Sequence, residues 1–173
     1  MPGWVFIYVS GGGEPFIHPD IMEILKFTKS KGLVCYVNTN FTLLNKKRID
    51  ELIKIGVEHL TVSTWAGTAH TYDITHPNKN EETFRQIVEN LRYLNRSKRE
   101  TPYIKLYNVL FTMNYQEVEE MIELARYTDS ESAEFTLIDT MPGKTDKLAL
   151  NTEQALELQR ICQRVAQRMD ARG

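Results

Sequence analysis

Residues able to do chemistry gather first at Gly11-Gly12-Gly13-Glu14-Pro15, directly after the apolar run Val5-Phe6-Ile7-Tyr8-Val9-Ser10. Glycines tolerate positive φ and let a ligand approach the main chain, so a strand that ends this way exposes peptide N–H and C=O groups. Glu14 adds a fixed negative charge, and Pro15 ends strand pairing and stiffens the turn. Such a turn suits a ligand with a cationic group and would repel a phosphate. The competing reading is a strand-to-helix turn that happens to be glycine-rich, because a short glycine run is a weak motif by itself.

Other polar residues follow apolar runs in the same manner. Asn38-Thr39-Asn40 comes after Leu33-Val34-Cys35-Tyr36-Val37, Ser63 ends His59-Leu60-Thr61-Val62, Asn114 follows Tyr103 to Phe111, and Asp139-Thr140 follows Glu134 to Ile138. The elements that place them repeat one pattern, a strand and then an amphipathic helix. Helices are expected from Asp20 to Lys31 (inward stripe Ile21, Ile24, Leu25, Thr28), after an Asn45 cap (Ile49, Leu52, Ile53), from an Asn78/Glu81 capping box (Phe84, Ile87, Val88, Leu91), over Val118 to Ala125, and after an Asn151/Gln154 capping box (Ala155, Leu158, Ile161, Val165, Met169). The first strand is expected from Trp4 to Ser10, and Leu33 to Val37 reads as a strand buried on both faces. A loop of about fifteen residues after Ser63 carries Trp65, Tyr72 and His76, and loops that long are often functional.

Five consecutive βα units imply an α/β fold with a parallel sheet and right-handed crossovers, and ligands bind such folds at the C-terminal strand ends. Polar residues concentrate at those ends, while Gly, Lys and Glu occupy the opposite ones. The expected organisation is one unit over residues 1–150 with a C-terminal helix, 151–173, packed on it.

Composition narrows the partners. The chain has 173 residues, 42% hydrophobic and 25% charged, with a formal net charge of -2, which argues against a broad nucleic-acid face. Lys46-Lys47-Arg48 and Arg96-Ser97-Lys98-Arg99 read as solvated helix ends. No apolar run suggests a membrane span and no leader precedes the first strand, so a cytoplasmic location is expected. His18, His59, His70 and His76 lack helical i, i+4 spacing and read as turn and surface residues. Cys35 and Cys162 are far apart and read as small buried hydrophobes. Trp65 and Tyr72 could stack on a ligand ring or pack their own loop down.

Gly-Gly-Glu-Pro after one strand, Asn-Thr-Asn after the next and Val62-Ser63-Thr64-Trp65-Ala66-Gly67 after the third resemble, in order and spacing, the core domain of the radical S-adenosylmethionine (SAM) enzymes, over roughly Val5 to Asp139. The resemblance implies an open (βα)6-type, TIM-like barrel. It also implies a [4Fe-4S] cluster on a Cys-x3-Cys-x2-Cys loop and reductive cleavage of SAM on behalf of a small-molecule or peptide substrate, with an external electron donor. By position, Gly12, Gly13 and Glu14 would hold the methionine ammonium, with Asn38 and Asn40 on the same rim. Ser63 would sit at the ribose, Val109 on the strand bordering adenine, and Asp139 at the closing edge. Phe41 stands where the family often has glycine, and Trp65 stands near the ribose position. No Cys-x3-Cys-x2-Cys occurs in the chain. The expectation is therefore a partial barrel without its first βα unit, unable alone to start the radical reaction because two isolated cysteines cannot hold the cluster. A cluster-free α/β binding module, one half of a split enzyme, and an unrelated nucleotide-binding fold are the alternatives.

Overall fold

The computed structural model describes residues 5–10 and 12–170, so Trp4 and Gly11 lie outside the described residues. Five strands form one parallel sheet in the order β1 (Phe6–Val9), β2 (Val34–Thr39), β3 (His59–Ser63), β4 (Tyr103–Leu110) and β5 (Ser132–Leu137). Between them run α1 (Ile21–Ser30), α2 (Lys46–Ile55), α3 (Ala69–Thr75), α4 (Glu81–Ser97) and α5 (Val118–Tyr127), and α6 (Thr152–Asp170) follows β5. The sheet is not closed, and β1 and β5 are its edges.

Helix boundaries follow from local chemistry. Asn45 Oδ1 accepts from Arg48 N at 3.0 Å to start α2, and Gly56, at φ 76°, ends it in the left-handed conformation that glycine adopts at no steric cost. Asn151 and Gln154 cap α6 reciprocally, at 2.9 and 3.0 Å. The α4 cap is Asn80, whose Oδ1 accepts from Thr83 N, and not Asn78, which sits at φ 64° two residues earlier.

One face of the sheet is aliphatic: Cys35, Val37, Leu60, Val62, Ile104 and Leu106 are fully buried against α1, α2 and α4. Burial of these side chains, about 1.5–3 kcal/mol each, holds the helices on that face. The concave face stays open, so β2 alternates buried and half-buried residues and is not covered on both sides as its apolar sequence suggested. Four expected core positions also differ. Ile24, Ala155 and Met169 are exposed, and Cys162 is exposed on α6. The long loop contains a short helix, α3, whose Tyr72 is completely buried against Phe84 and His76.

At the N-terminal ends of the strands, carboxylates do structural work. Glu58 accepts from Cys35 N at 2.8 Å and pairs with Lys29, while Glu131 accepts from Ile104 N at 2.7 Å and pairs with Lys98. Each ties the start of one strand to its neighbour.

Candidate functional site

Glu14 sits half-buried at the C-terminal end of β1, and its carboxylate joins two strand ends. Oε1 accepts from Thr39 Oγ1 at 2.7 Å and from Phe16 N at 3.1 Å, and Oε2 accepts from Asn40 N at 2.6 Å. An ionised carboxylate offers about four acceptor sites, so these three donors leave one, on Oε2. Thr39, named in the sequence only as part of the Asn38-Thr39-Asn40 strand end, is the residue whose role as partner of Glu14 was not foreseen. Strand periodicity puts it on the face opposite Asn38, and there it meets Glu14. Its hydroxyl in turn accepts from Phe41 N at 2.9 Å.

Gly12 and Gly13 are exposed beside this carboxylate. Neither has a positive φ, and a Cβ built on either meets nothing within 4 Å. Backbone strain therefore does not require glycine here, and neither does packing within the chain. What the glycines leave is open space against the main chain next to a negative charge, a cradle that side chains would fill.

The turn after β2 explains the residue that departs from the family pattern. Phe41 adopts φ 63° with its side chain fully buried. Left-handed backbone costs a non-glycine residue about 1–2 kcal/mol, and burying the ring offsets it by about 1.5–3 kcal/mol. The chain thus makes the turn a glycine would make and gains core volume from it. Trp65, the other departure, likewise sits at φ 52°.

Asn38 Nδ2 donates to Ser10 Oγ at 3.2 Å, which places this side chain on the concave rim between β1 and β2. Asn40 contributes its backbone N–H to Glu14, but its side-chain oxygen is taken by Thr42 N and Thr42 Oγ1, at 3.0 and 2.8 Å. Ser63 closes β3 and Val109 lies on β4, both half-buried on the concave face. Asp139 is exposed just past β5. The rim is therefore continuous from β1 to β3, while Asp139 lies at the far, open edge.

Asn114, a polar strand-end residue by sequence, is buried and structural. Its Nδ2 donates to the carbonyls of Trp65 and Val109, and its Oδ1 accepts from Phe111 N, all at 2.8 Å. Glu117 similarly clamps the turn after β3, accepting from Gly67 N at 2.9 Å, Thr68 Oγ1 at 2.8 Å and Thr71 Oγ1 at 2.6 Å. Tyr72 and His76 stack on each other at 3.9 Å, so these rings pack the loop down and are not free to meet a ligand. Burial pushes the Tyr72 phenol up to about 12 and lowers His76 below its ordinary range. His59 opens β3, as the expected strand from His59 to Ser63 implies, and is half-buried there.

The residues do not fit an iron–sulfur cluster. Cys35 is buried on the helix-facing side of β2, Cys162 is exposed on α6, and among the described residues no group of three His, Cys, Asp or Glu could hold a metal ion. The open space at Gly12 and Gly13 and the unspent acceptor site on Glu14 suit a cationic group such as an ammonium. Among the described residues no helix is long and apolar enough to cross a membrane.

The chain is 37% identical over 67 residues to the AdoMet-dependent heme synthase of Methanosarcina barkeri, a match covering 39% of this chain and 19% of that protein. It superposes on Streptococcus suis SuiB bound to S-adenosylmethionine with a TM-score of 0.73 at 16% identity, covering 97% of this chain and 37% of that one. On TYW1 with a lysine-pyruvate adduct bound, the TM-score is 0.66 at 22% identity, covering 91% and 49%. At these identities the superpositions carry the fold, and the chain spans under half the length of these relatives. The pattern of the Radical SAM superfamily matches residues 2–125, so the chain belongs to that superfamily.

Proposed function

We propose that this chain is the SAM-holding part of a radical SAM enzyme. The observation that carries the reading is the pair Gly12 and Gly13, glycines that neither φ nor packing requires, next to a carboxylate with one acceptor site unspent. Main-chain carbonyls and Glu14 would receive the methionine ammonium of SAM, a charge-assisted contact. Asn38 and Ser63 would face the ribose, and Val109 the adenine. When bound, SAM supplies a sulfonium whose reductive cleavage yields the radical in this superfamily. This chain's own residues bind and orient it, and nothing in them supplies the electron.

The cysteines of the cluster would come from a further βα unit seated along the free edge of β1. Val5 and Phe6 are exposed at that edge, an apolar border suited to a covering strand. An electron donor and a small-molecule or peptide substrate would complete the system. A second reading, a cluster-free module that binds SAM without cleaving it, draws on the positions of Cys35 and Cys162.

Calorimetric titration with SAM tests the proposal. Wild type should bind, and Glu14→Gln should bind about 10–100-fold more weakly, the equivalent of a hydrogen bond to a charged group. Thr39→Val removes a tie to Glu14 without removing its charge and should retain binding. Equal affinity in Glu14→Gln and wild type would refute the assignment. Iron and sulfide reconstitution of the chain alone should yield no cluster absorbance.

A further inference from the structure

A second feature of the concave face lies below the rim. Tyr8, Tyr36, His59 and Tyr103 occupy registered positions on four adjacent strands and form a ladder of rings. Tyr8 and Tyr36 stack at 4.7 Å, Tyr36 and His59 at 4.2 Å with planes 1° apart, and His59 and Tyr103 lie at 5.6 Å, tilted by 49°. These residues line a cavity of about 440 Å³ together with Thr61 and the Lys105–Glu134 ion pair.

Three properties separate this ladder from ordinary barrel filling. Barrel interiors are packed mainly with branched aliphatic side chains, whereas here four rings with polar tips line the cavity beside Leu60, Thr61, Ser132 and Ala133. The Tyr8, Tyr36 and Tyr103 hydroxyls and the His59 nitrogens have no hydrogen-bond partner among the described residues. Tyr8 is 65% exposed and Tyr103 39%, so the stack ends on bare ring surface. Among the described residues, the ion pair lining the cavity, Lys105 and Glu134, is closed at 2.6 Å. A cavity near 440 Å³ is in the range that encloses a drug-sized molecule.

We propose that the ladder cavity binds an uncharged planar aromatic molecule of one or two rings carrying hydroxyl or amide substituents. The bare ring faces stack on it, the phenol and imidazole tips hydrogen-bond its substituents, and the paired charges match its neutrality. Tyr36 lies two residues below Asn38, about 7 Å along the strand, so the occupant neighbours the rim. Its role as the substrate class rests on the SAM reading above, but its binding does not.

The test uses the intact chain with 4-hydroxybenzamide as the probe and cyclohexanecarboxamide as the non-aromatic control, followed by saturation-transfer NMR and calorimetry. The aromatic probe should bind and the control should not. Tyr8→Leu, at an exposed edge position where folding is least at risk, should weaken the probe roughly three- to tenfold, the share of one stacked ring. Tyr8→Phe should restore most of the loss, and SAM affinity should stay unchanged in both variants. Equal binding of probe and control, no binding by wild type, or unchanged affinity in Tyr8→Leu would overturn the assignment. So would concentration-dependent dimerisation abolished by Tyr8→Leu, which would make a second copy the occupant. Loss of SAM binding with the probe still bound would count against the rim reading alone.

Discussion

Gly67→Ala should be among the most damaging conservative changes in this chain, and the reason can be worked from distances. A Cβ on Gly67 would lie 2.5 Å from Glu120 Cβ and 2.8 Å from both Glu120 C and Met121 N, at the start of α5. Two of these three atoms are backbone, so no rotamer change removes the clash. Either α5 or the turn after β3 must shift by about 1 Å, and overpacking of this kind costs about 1–3 kcal/mol. The same shift pulls Gly67 N–H from its 2.9 Å bond to Glu117, a bond to a charged acceptor that contributes about 1.5–3 kcal/mol. The two losses share one displacement, so the expected destabilisation is about 3 kcal/mol, not their sum. For a chain of this size that corresponds to a fall in Tm of about 6–12 °C. Urea unfolding followed by circular dichroism measures it, with the slope unchanged. Gly67 does not have a positive φ, so a loss below about 1 kcal/mol would show that the turn relaxes freely and refute the steric argument.

Two further outcomes follow from the same geometry. Phe41→Gly relieves left-handed strain but empties a fully buried ring site, so the net result should be a loss of about 2–4 kcal/mol by urea unfolding, and a gain in stability would contradict it. Burial holds His76 below its ordinary value of 6.5, with Lys79 adding to the shift and the Tyr72 carbonyl opposing it. The unfolded chain therefore takes up a proton near 6.5 before the folded one does, and stability should fall as pH drops through 6.5 towards the depressed folded value. His76→Phe should flatten that part of the stability profile measured between pH 7.5 and 5.5, and an unchanged slope would assign it to other groups, His59 among them.

The βα alternation, the strand order and several caps were readable because each has a short-range cause. Asn45, Gly56 and the Asn151/Gln154 pair act within a few residues of themselves. Helix α3 was not legible, because its seven residues Ala69–Thr75 carry no apolar period and are held by Thr68 and by Glu117, far away in sequence. The open concave face was also hidden. An apolar run such as Val34 to Val37 reads as covered on both sides, yet only the helix side is covered. Within the site, the glycines, Glu14 and Asn38-Thr39-Asn40 were visible as motifs, but the pairing of Thr39 with Glu14 was not. Its tie to Glu14 spans 25 residues and depends on which face each side chain takes.

The measurement that bears most directly on the central claim is SAM affinity set against stability for Gly13→Ala. A methyl at Gly13 meets nothing in the chain and needs no forbidden backbone, so the unfolding midpoint should be unchanged or slightly raised, by about 0.4–1 kcal/mol. If the space beside Glu14 holds the methionine part of SAM, that methyl should weaken binding at least tenfold. Unchanged affinity in a stable Gly13→Ala protein would contradict the cradle and the function built on it.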